Sequence, residues 1–491
     1  MRKYFKIVSS FALVLVLSIF MSACQTGKKS NSFYMVNFKV ENADQLQKAV
    51  KEYKEITGVE IEAYSVGNSS NSIETLRADL NSKNHKPAIY SVMNVTELVE
   101  YEGGKNVIDL NSDDKRFTEE FKKLHASVPE NIRLSTDGKN SYGIPYNVEG
   151  YGYIVNKALL ADLFAADQEA VYKDLVNSTY AEFENFVLAL NDFIQNDKTT
   201  KLTLSANDYE LQAKTESSKN LTGVFATLGS EKWTYGSHLV NVALDTKFNN
   251  AAEALNTKTI DDLKGSLEAY AEVIDLQSSY TAAQNGPEKR GPEMISSAAH
   301  GYDASIQLFA TGKALFIQQG NWAYTNIKDT NADIVDDLAF IPIKMPFTDE
   351  NISAEGLNAD KMSKSIPVFV PNYYVLNPNV SDEEFKAAQD FLVWLNTSER
   401  GQYYVKEEFA FIPYNATPDI KLSNSLGNSI LSFMADENTI PNTYSGASTV
   451  WVEDKVGGNL LENYLNKEDW ADTAYADIAD KAIANWAELR K

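Results

Sequence analysis

Between Phe33 and Val92 the chain passes through strand, helix, strand, helix and strand patterns within about sixty residues, and that rhythm leaves few folds open. Residues 33–38 form a short apolar run. Leu46, Ala49, Val50, Tyr53 and Ile56 then recur at helical spacing, with Asn42 placed to cap the helix and Gly58 to end it. Residues 59–66 alternate as a half-buried strand does, Leu76 and Leu80 mark a second helix, and residues 87–92 read as a buried strand. Strands that alternate with helices at this spacing pair in parallel through right-handed crossovers, which predicts an α/β sheet. Such sheets bind ligands beyond the C-terminal strand ends, here at Met93, Asn94 and Val95.

The same pattern continues to the C-terminus. Thr179 with Glu182, and Ser381 with Glu384, are capping boxes that open amphipathic helices. Tyr475, Ile478, Ala482, Trp486 and Leu489 stripe a last helix. Residues 198–220 and 284–292 are polar or turn-rich and read as surface excursions. At 491 residues the chain is long enough for two domains of about 150 residues or more each.

Composition narrows the function. With 45 basic against 68 acidic side chains, a net charge of −23 repels phosphate backbones and excludes nucleic-acid binding. A single cysteine excludes an internal disulfide framework, and the four histidines stand far apart with no HExxH pair, so no metal site is expected. There is no GxSxG, P-loop or GxGxxG, and no loop of alternating acids around a glycine that would hold calcium. The chain reads as a binding protein without a cofactor, not an enzyme.

Arg2, Lys3 and Lys6 precede an apolar stretch over residues 7–21 that ends in Met21-Ser22-Ala23-Cys24. This resembles a bacterial lipoprotein signal: residues 1–23 are a leader, Cys24 becomes the lipidated N-terminus, and residues 24–32 are a flexible tether. The resemblance implies a lipid-anchored protein on the extracellular face of the cell membrane, bound to the bilayer through acylated Cys24.

Three aromatic segments follow. The first, Gly143-Ile-Pro-Tyr146-Asn147-Val-Glu149-Gly-Tyr151-Gly-Tyr153-Ile-Val-Asn-Lys157, suits a chain that crosses between lobes, with strand character from Tyr153 to Val155. In the second, a buried strand turns at Gly320 into a helix capped by Asn321, with Trp322 in the first turn. The third is an aromatic loop that includes Tyr444 and Trp451. In order along the chain, Gly58-Val59, Pro87-Ala-Ile-Tyr90, Gly143-Ile-Pro145, Tyr153-Ile-Val-Asn-Lys157, Thr179-Tyr-Ala-Glu-Phe183, Gly312-Lys-Ala314, Gly320-Asn-Trp322 and Lys386-Ala-Ala-Gln-Asp-Phe-Leu392 resemble the family 1 extracellular solute-binding proteins of carbohydrate ABC importers, the maltose-binding-protein-like group. Departures are Ala88, where the family has an acid, and Val155, where it has Tyr.

That resemblance implies a two-lobe, type II periplasmic-binding-protein-like α/β fold, each lobe a mainly parallel sheet flanked by helices and joined by hinge strands. Residues 33–147 plus 366–411 would make lobe one, and 150–365 plus 412–491 lobe two. It implies a monomer that binds a neutral sugar or oligosaccharide between the lobes and delivers it to permease subunits by hinge closure. Ligand-binding positions carried over are Asn94, Glu149, Trp233, Trp322, Tyr373 and Trp451, with Phe411 at the hinge edge; Tyr146, Asn147 and Tyr151, which the first segment offers to a cleft, and Asn321 beside Trp322 complete the expected site. Flat rings suit the C–H faces of a pyranose, while Asn and Glu suit its hydroxyls. Glu149 would favour a neutral polyol over an anion. Two alternatives stay open: the same fold with a peptide, polyamine or glycerol phosphate as ligand, or a surface lipoprotein that acts as an adhesin.

Overall fold

A computed structural model describes residues 32–39, 42–66, 70–284, 286–288, 290–409, 411–416 and 420–491. The leader, Cys24 and all of the tether but Ser32 lie outside the described residues. The opening alternation folds as its pattern predicts: β1 (Ser32–Asn37), α1 (Ala43–Thr57), β2 (Glu60–Ser65), α2 (Ser70–Leu80), β3 (Pro87–Val92) and α3 (Val95–Gly103). β1 lies between β2 and β3 and is parallel to both. Gly58 ends α1 at φ +75°, a conformation that costs a residue with a Cβ and not glycine. Asn42 sits at the start of α1 but makes no capping bond. Its carboxamide instead donates to the Tyr146 hydroxyl and accepts from Asn37 Nδ2.

The chain then adds β4 (Ile144–Pro145), β5 (Glu149–Asn156), β6 (Lys201–Leu204), β7 (Asn207–Glu210), β8 (Gly223–Ala226), β9 (Thr281–Ala283), β10 (Gly286–Glu288), β11 (Ala314–Gly320), β12 (Leu338–Ile341), β13 (Ile366–Phe369), β14 (Tyr373–Leu376) and β15 (Thr439–Ile440). The first sheet runs β2-β1-β3-β14-β4, and the second runs β10-β9-β8-β11-β5-β13-β15 with β12 also on β5. Both sheets are mixed and not mainly parallel. β14 is antiparallel to β3, and β5 is antiparallel to β11, β12 and β13, because these strands enter their sheets from the opposite lobe. β6 and β7 pair only with each other, as a hairpin inside the segment expected to be a plain surface excursion.

The chain crosses between sheets at residues 146–148 and 370–372, and Val148 bridges to Ile412 beside the first crossing. β13 pairs with β5, so residues 366–369, assigned on sequence to lobe one, belong by pairing to the second sheet. β5 also begins earlier than its glycines led us to expect. A Cβ on Gly152 would stand 2.6 Å from the Ile341 carbonyl, and one on Gly150 would stand 3.1 Å from that of Pro367. The glycines therefore admit close neighbours to a central strand and do not interrupt it.

Both capping boxes form, at Thr179 with Glu182 and at Ser381 with Glu384, each worth about 1 kcal/mol. The helix Asp382–Thr397 covers β1 and β3, and the helices Tyr180–Asn196, Lys264–Ser279 and Tyr302–Ala310 cover β8. Tyr153 on β5 meets Phe183, Phe225 and Phe316 at ring separations of 5.5, 5.5 and 5.9 Å, which makes an aromatic core of the second lobe. No helix among the described residues is long and apolar enough to cross a membrane.

Candidate functional site: the cleft between the sheets

β3 ends at Val92, and Asn94 caps α3 at the place where a parallel sheet exposes its strand ends. Asn94 Oδ1 accepts from Glu97 N at 2.8 Å and from Thr96 Oγ1 at 2.6 Å, and its Nδ2 donates to Glu97 at 3.2 Å. The carboxamide is thereby held in one orientation on the wall of a 610 Å³ cleft. Met93, Arg133, Asn140 and Tyr373 line the same side, and Asn249, Ala252, Phe369, Pro441 and Asn442 line the other. Tyr373 is fixed by donating its hydroxyl to the Ile132 carbonyl at 2.7 Å. The volume suits a small-molecule site, for which a few hundred to about 1,000 Å³ is usual.

The far wall depends on two side chains that sequence reasoning missed. Asn241 Nδ2 donates to the Pro441 carbonyl at 2.9 Å and to Asp245 at 2.8 Å, while its Oδ1 accepts from Tyr444 N at 2.9 Å. Thr443 Oγ1 donates to Asp245 at 2.6 Å. Burial pushes the Asp245 carboxyl well above the usual carboxylate range. The only sign in the sequence is a polar pair four residues apart in an apolar helix, Val240-Asn-Val-Ala-Leu-Asp245. The lobes meet beside the cleft. α3 packs against the helix Ala251–Asn256 and the turn Thr443–Gly446, and Asn256 Nδ2 donates to the Thr136 carbonyl at 2.9 Å.

A second group of rings gathers where β11 ends. His238 stacks on Tyr151 at 4.2 Å and touches Trp233 at 5.1 Å, Trp322 at 5.3 Å, Tyr444 at 6.0 Å and Phe369 at 6.3 Å. Burial among these rings pushes the imidazole down to about 3, so it is neutral at physiological pH. Trp233 and Trp322 stand edge to face at 6.3 Å, both half-buried, with indole N–H groups held by Glu231 and Gln319. Trp322 folds back over Gly320, where any Cβ would collide with the indole. Phe369 belongs both to this group and to the cleft wall.

Of the expected ligand contacts, Asn94 and Tyr373 line the cleft, and Trp233 and Trp322 join the ring group next to it. Others are corrected. Asn321 does not cap a helix; its Oδ1 accepts from Gly150 N at 3.1 Å and fastens β11 to β5. Tyr151 is fully buried and donates to the His238 carbonyl at 3.0 Å. Trp451 is core: it donates to the Ala482 carbonyl at 2.8 Å and meets Trp486 edge-on at 4.9 Å. Tyr146 is buried against Tyr374 at 4.4 Å and Phe411 at 5.1 Å. Periodicity identifies an aromatic residue as important, but a ring that stacks on ligand and a ring that fills a core look alike in one dimension.

Glu149 and Asn147 are buried at the first crossing. Glu149 accepts from Lys39 Nζ at 2.6 Å and from Asn147 Nδ2 at 2.9 Å, with the Lys39 and Glu149 side chains 9% and 8% exposed. Lys39 follows β1 and comes from 110 positions away, a pairing no local pattern announces. The carboxylate is therefore charge-compensated. The expectation that Glu149 turns anions away from the cleft does not hold.

Residues 48–425 match the family of bacterial extracellular solute-binding proteins. In structure the chain is similar to apo RafE from Streptococcus pneumoniae, with a TM-score of 0.61 at 14% identity over 95% of this chain and 100% of that one. It is similar to a family 1 extracellular solute-binding protein from Bifidobacterium longum subsp. infantis, with a TM-score of 0.60 at 15% identity over 93% and 99%. A sugar transporter from Bacillus licheniformis, solved with stachyose, gives 0.56 at 14% identity over 93% and 100%. No curated protein matches the chain in sequence. A family match across most of the chain agrees with the two sheets and the cleft between them: this protein belongs to the bacterial extracellular solute-binding proteins.

Proposed function

We propose that the protein binds an oligosaccharide between its lobes, as the receptor of an ABC importer, and passes it to the permease when the lobes open. One observation carries the reading: a 610 Å³ cleft lined by carboxamides from both sides, Asn94 and Asn140 facing Asn249 and Asn442, adjoins through Phe369 a cluster with two half-buried indoles. Carboxamides complete the hydrogen bonds of sugar hydroxyls, whose unpaired burial would cost about 1–3 kcal/mol each. Rings cover C–H faces with little side-chain entropy to lose. Relatives of the same fold were solved with raffinose and with stachyose, which supports the class of ligand. In this reading the cleft holds ligand and turns over no substrate. The lipid anchor at Cys24 and a monomeric state belong to the same proposal.

Trp322→Ala tests it. Calorimetry with a bound oligosaccharide is expected to show at least tenfold weaker affinity, while the melting temperature of ligand-free protein changes little. Unchanged affinity would remove Trp322 from the site. A thermal-shift panel in which peptides or polyamines stabilise the protein and sugars do not would replace the ligand class.

A further inference from the structure

The charge of the cleft goes beyond that reading and rests on it. One residue in seven of this chain is acidic, 68 of 491, and the net charge is −23, so an ordinary patch of its surface carries carboxylates. The cleft wall departs from this. Its charged residues are Arg133, Lys139 and Glu130. The Glu130 side chain is 90% exposed, at the rim, and pairs with Arg133 through Nη1 at 3.8 Å, a solvent-screened contact. Arg133 is 23% exposed, and its one hydrogen bond among the described residues runs from Nε to the Val128 carbonyl at 3.1 Å. That bond orients the guanidinium, whose Nη1 faces the exposed Glu130 carboxylate at the rim.

The acids nearest this lip are engaged by their own loops. Asp137 accepts from Lys139 N at 2.9 Å, Asn140 N at 2.8 Å and Ser135 Oγ at 3.2 Å. Asp109 accepts from the backbone N–H groups of Asn111 and Ser141, both at 3.0 Å, and Glu102 from Thr136 Oγ1 at 3.0 Å. At the crossing, Lys39 neutralises Glu149. The cleft lining of this acidic protein thus carries two cations, Arg133 and Lys139, against one carboxylate, Glu130, and the Arg133 guanidinium is oriented. A guanidinium edge matches the paired oxygens of a carboxylate or a sulfate, which a neutral sugar does not carry.

We propose that the ligand is an acidic oligosaccharide whose carboxylate or sulfate lies against the Arg133 guanidinium, with Lys139 at the lip and the carboxamides of Asn94 and Asn140 on its hydroxyls. The test is calorimetry of the full chain with oligogalacturonates, with unsaturated chondroitin disaccharides in unsulfated and sulfated forms, and with neutral raffinose, stachyose and chitin oligosaccharides. An acidic probe is expected to bind at least tenfold more tightly than any neutral one, and its affinity to fall as salt rises. The unsulfated and sulfated arms distinguish carboxylate from sulfate recognition. Arg133→Gln is expected to weaken the acidic probe at least tenfold and to leave the melting temperature in place. Arg133→Lys, which keeps the charge and removes the planar fork, should recover only part of the affinity. If a neutral oligosaccharide binds best and Arg133→Gln leaves it unchanged, the charge assignment is overturned while the saccharide reading stands. If no saccharide of either charge binds, the saccharide reading itself falls.

Discussion

The two walls of the cleft are built in opposite ways. On the first-sheet side, positions come from polar side chains locked by their own loops: Asn94 by Glu97 and Thr96, and Arg133 by Val128. The second-sheet side presents Asn249, Phe369, Pro441 and Asn442, with Phe369 backed by rings packed around a neutral imidazole and the loop at Pro441–Tyr444 fastened from behind by Asn241 and Asp245. A hydrogen-bonded wall discriminates, because each mismatched donor or acceptor stays unpaired when the lobes shut. A ring wall adheres to any flat apolar face. The first wall is thus held by hydrogen bonds within its own loops, and the second by ring packing and the buried Asn241–Asp245 pair.

The sharpest way to break this contrast is to ask whether every tryptophan near the second wall behaves alike. Trp451→Ala is expected to cost about 3–5 kcal/mol in urea denaturation, as loss of a buried ring does, and to leave ligand affinity unchanged. A loss of affinity equal to that of Trp322→Ala would merge core and cleft rings into one unit. Next in size, Glu149→Leu removes the carboxylate that the buried Lys39 ammonium pairs with and should cost about 3 kcal/mol, most of it recovered in the Lys39→Met/Glu149→Leu double variant. A double variant no more stable than the single one would show that the ion pair holds the crossing in a way that apolar packing cannot replace.

The smallest effect is acid sensitivity confined to the ring wall. The His238 imidazole is pushed down to about 3 from an ordinary value near 6.5, so the unfolded chain takes up the proton first as pH falls. The stabilisation is fully present above pH 6.5 and is lost as pH drops toward 3, about 2 kcal/mol between pH 7 and pH 5. His238→Phe should flatten that part of the melting-temperature profile. An unchanged profile would assign the acid sensitivity elsewhere.

Much of the frame was legible along the chain. The alternation over residues 33–92 became parallel β1, β2 and β3, both capping boxes formed, and Asn94 stood at the strand end. These depend on neighbours within a few positions, where spacing and side-chain type suffice. Tyr151, Trp451 and Glu149 misled for one shared reason: each was judged by residue type, and type does not report the direction in which a side chain points. Gly150 and Gly152 read as breaks because the strands crowding them arrive from Ile341 and Pro367, far along the sequence.

Local pattern thus determined the class of fold, the order of its first elements and the strand end that opens on the cleft, since helix caps and periodic apolar faces are short-range. Tertiary structure alone decided that Phe369 lines the cleft while Tyr151 and Trp451 are core, that Lys39 pairs with Glu149, and that Arg133, Lys139 and Glu130 are the charged groups of the wall. Those outcomes depend on burial and on pairs brought together across a hundred or more positions, and no spacing rule reaches that far.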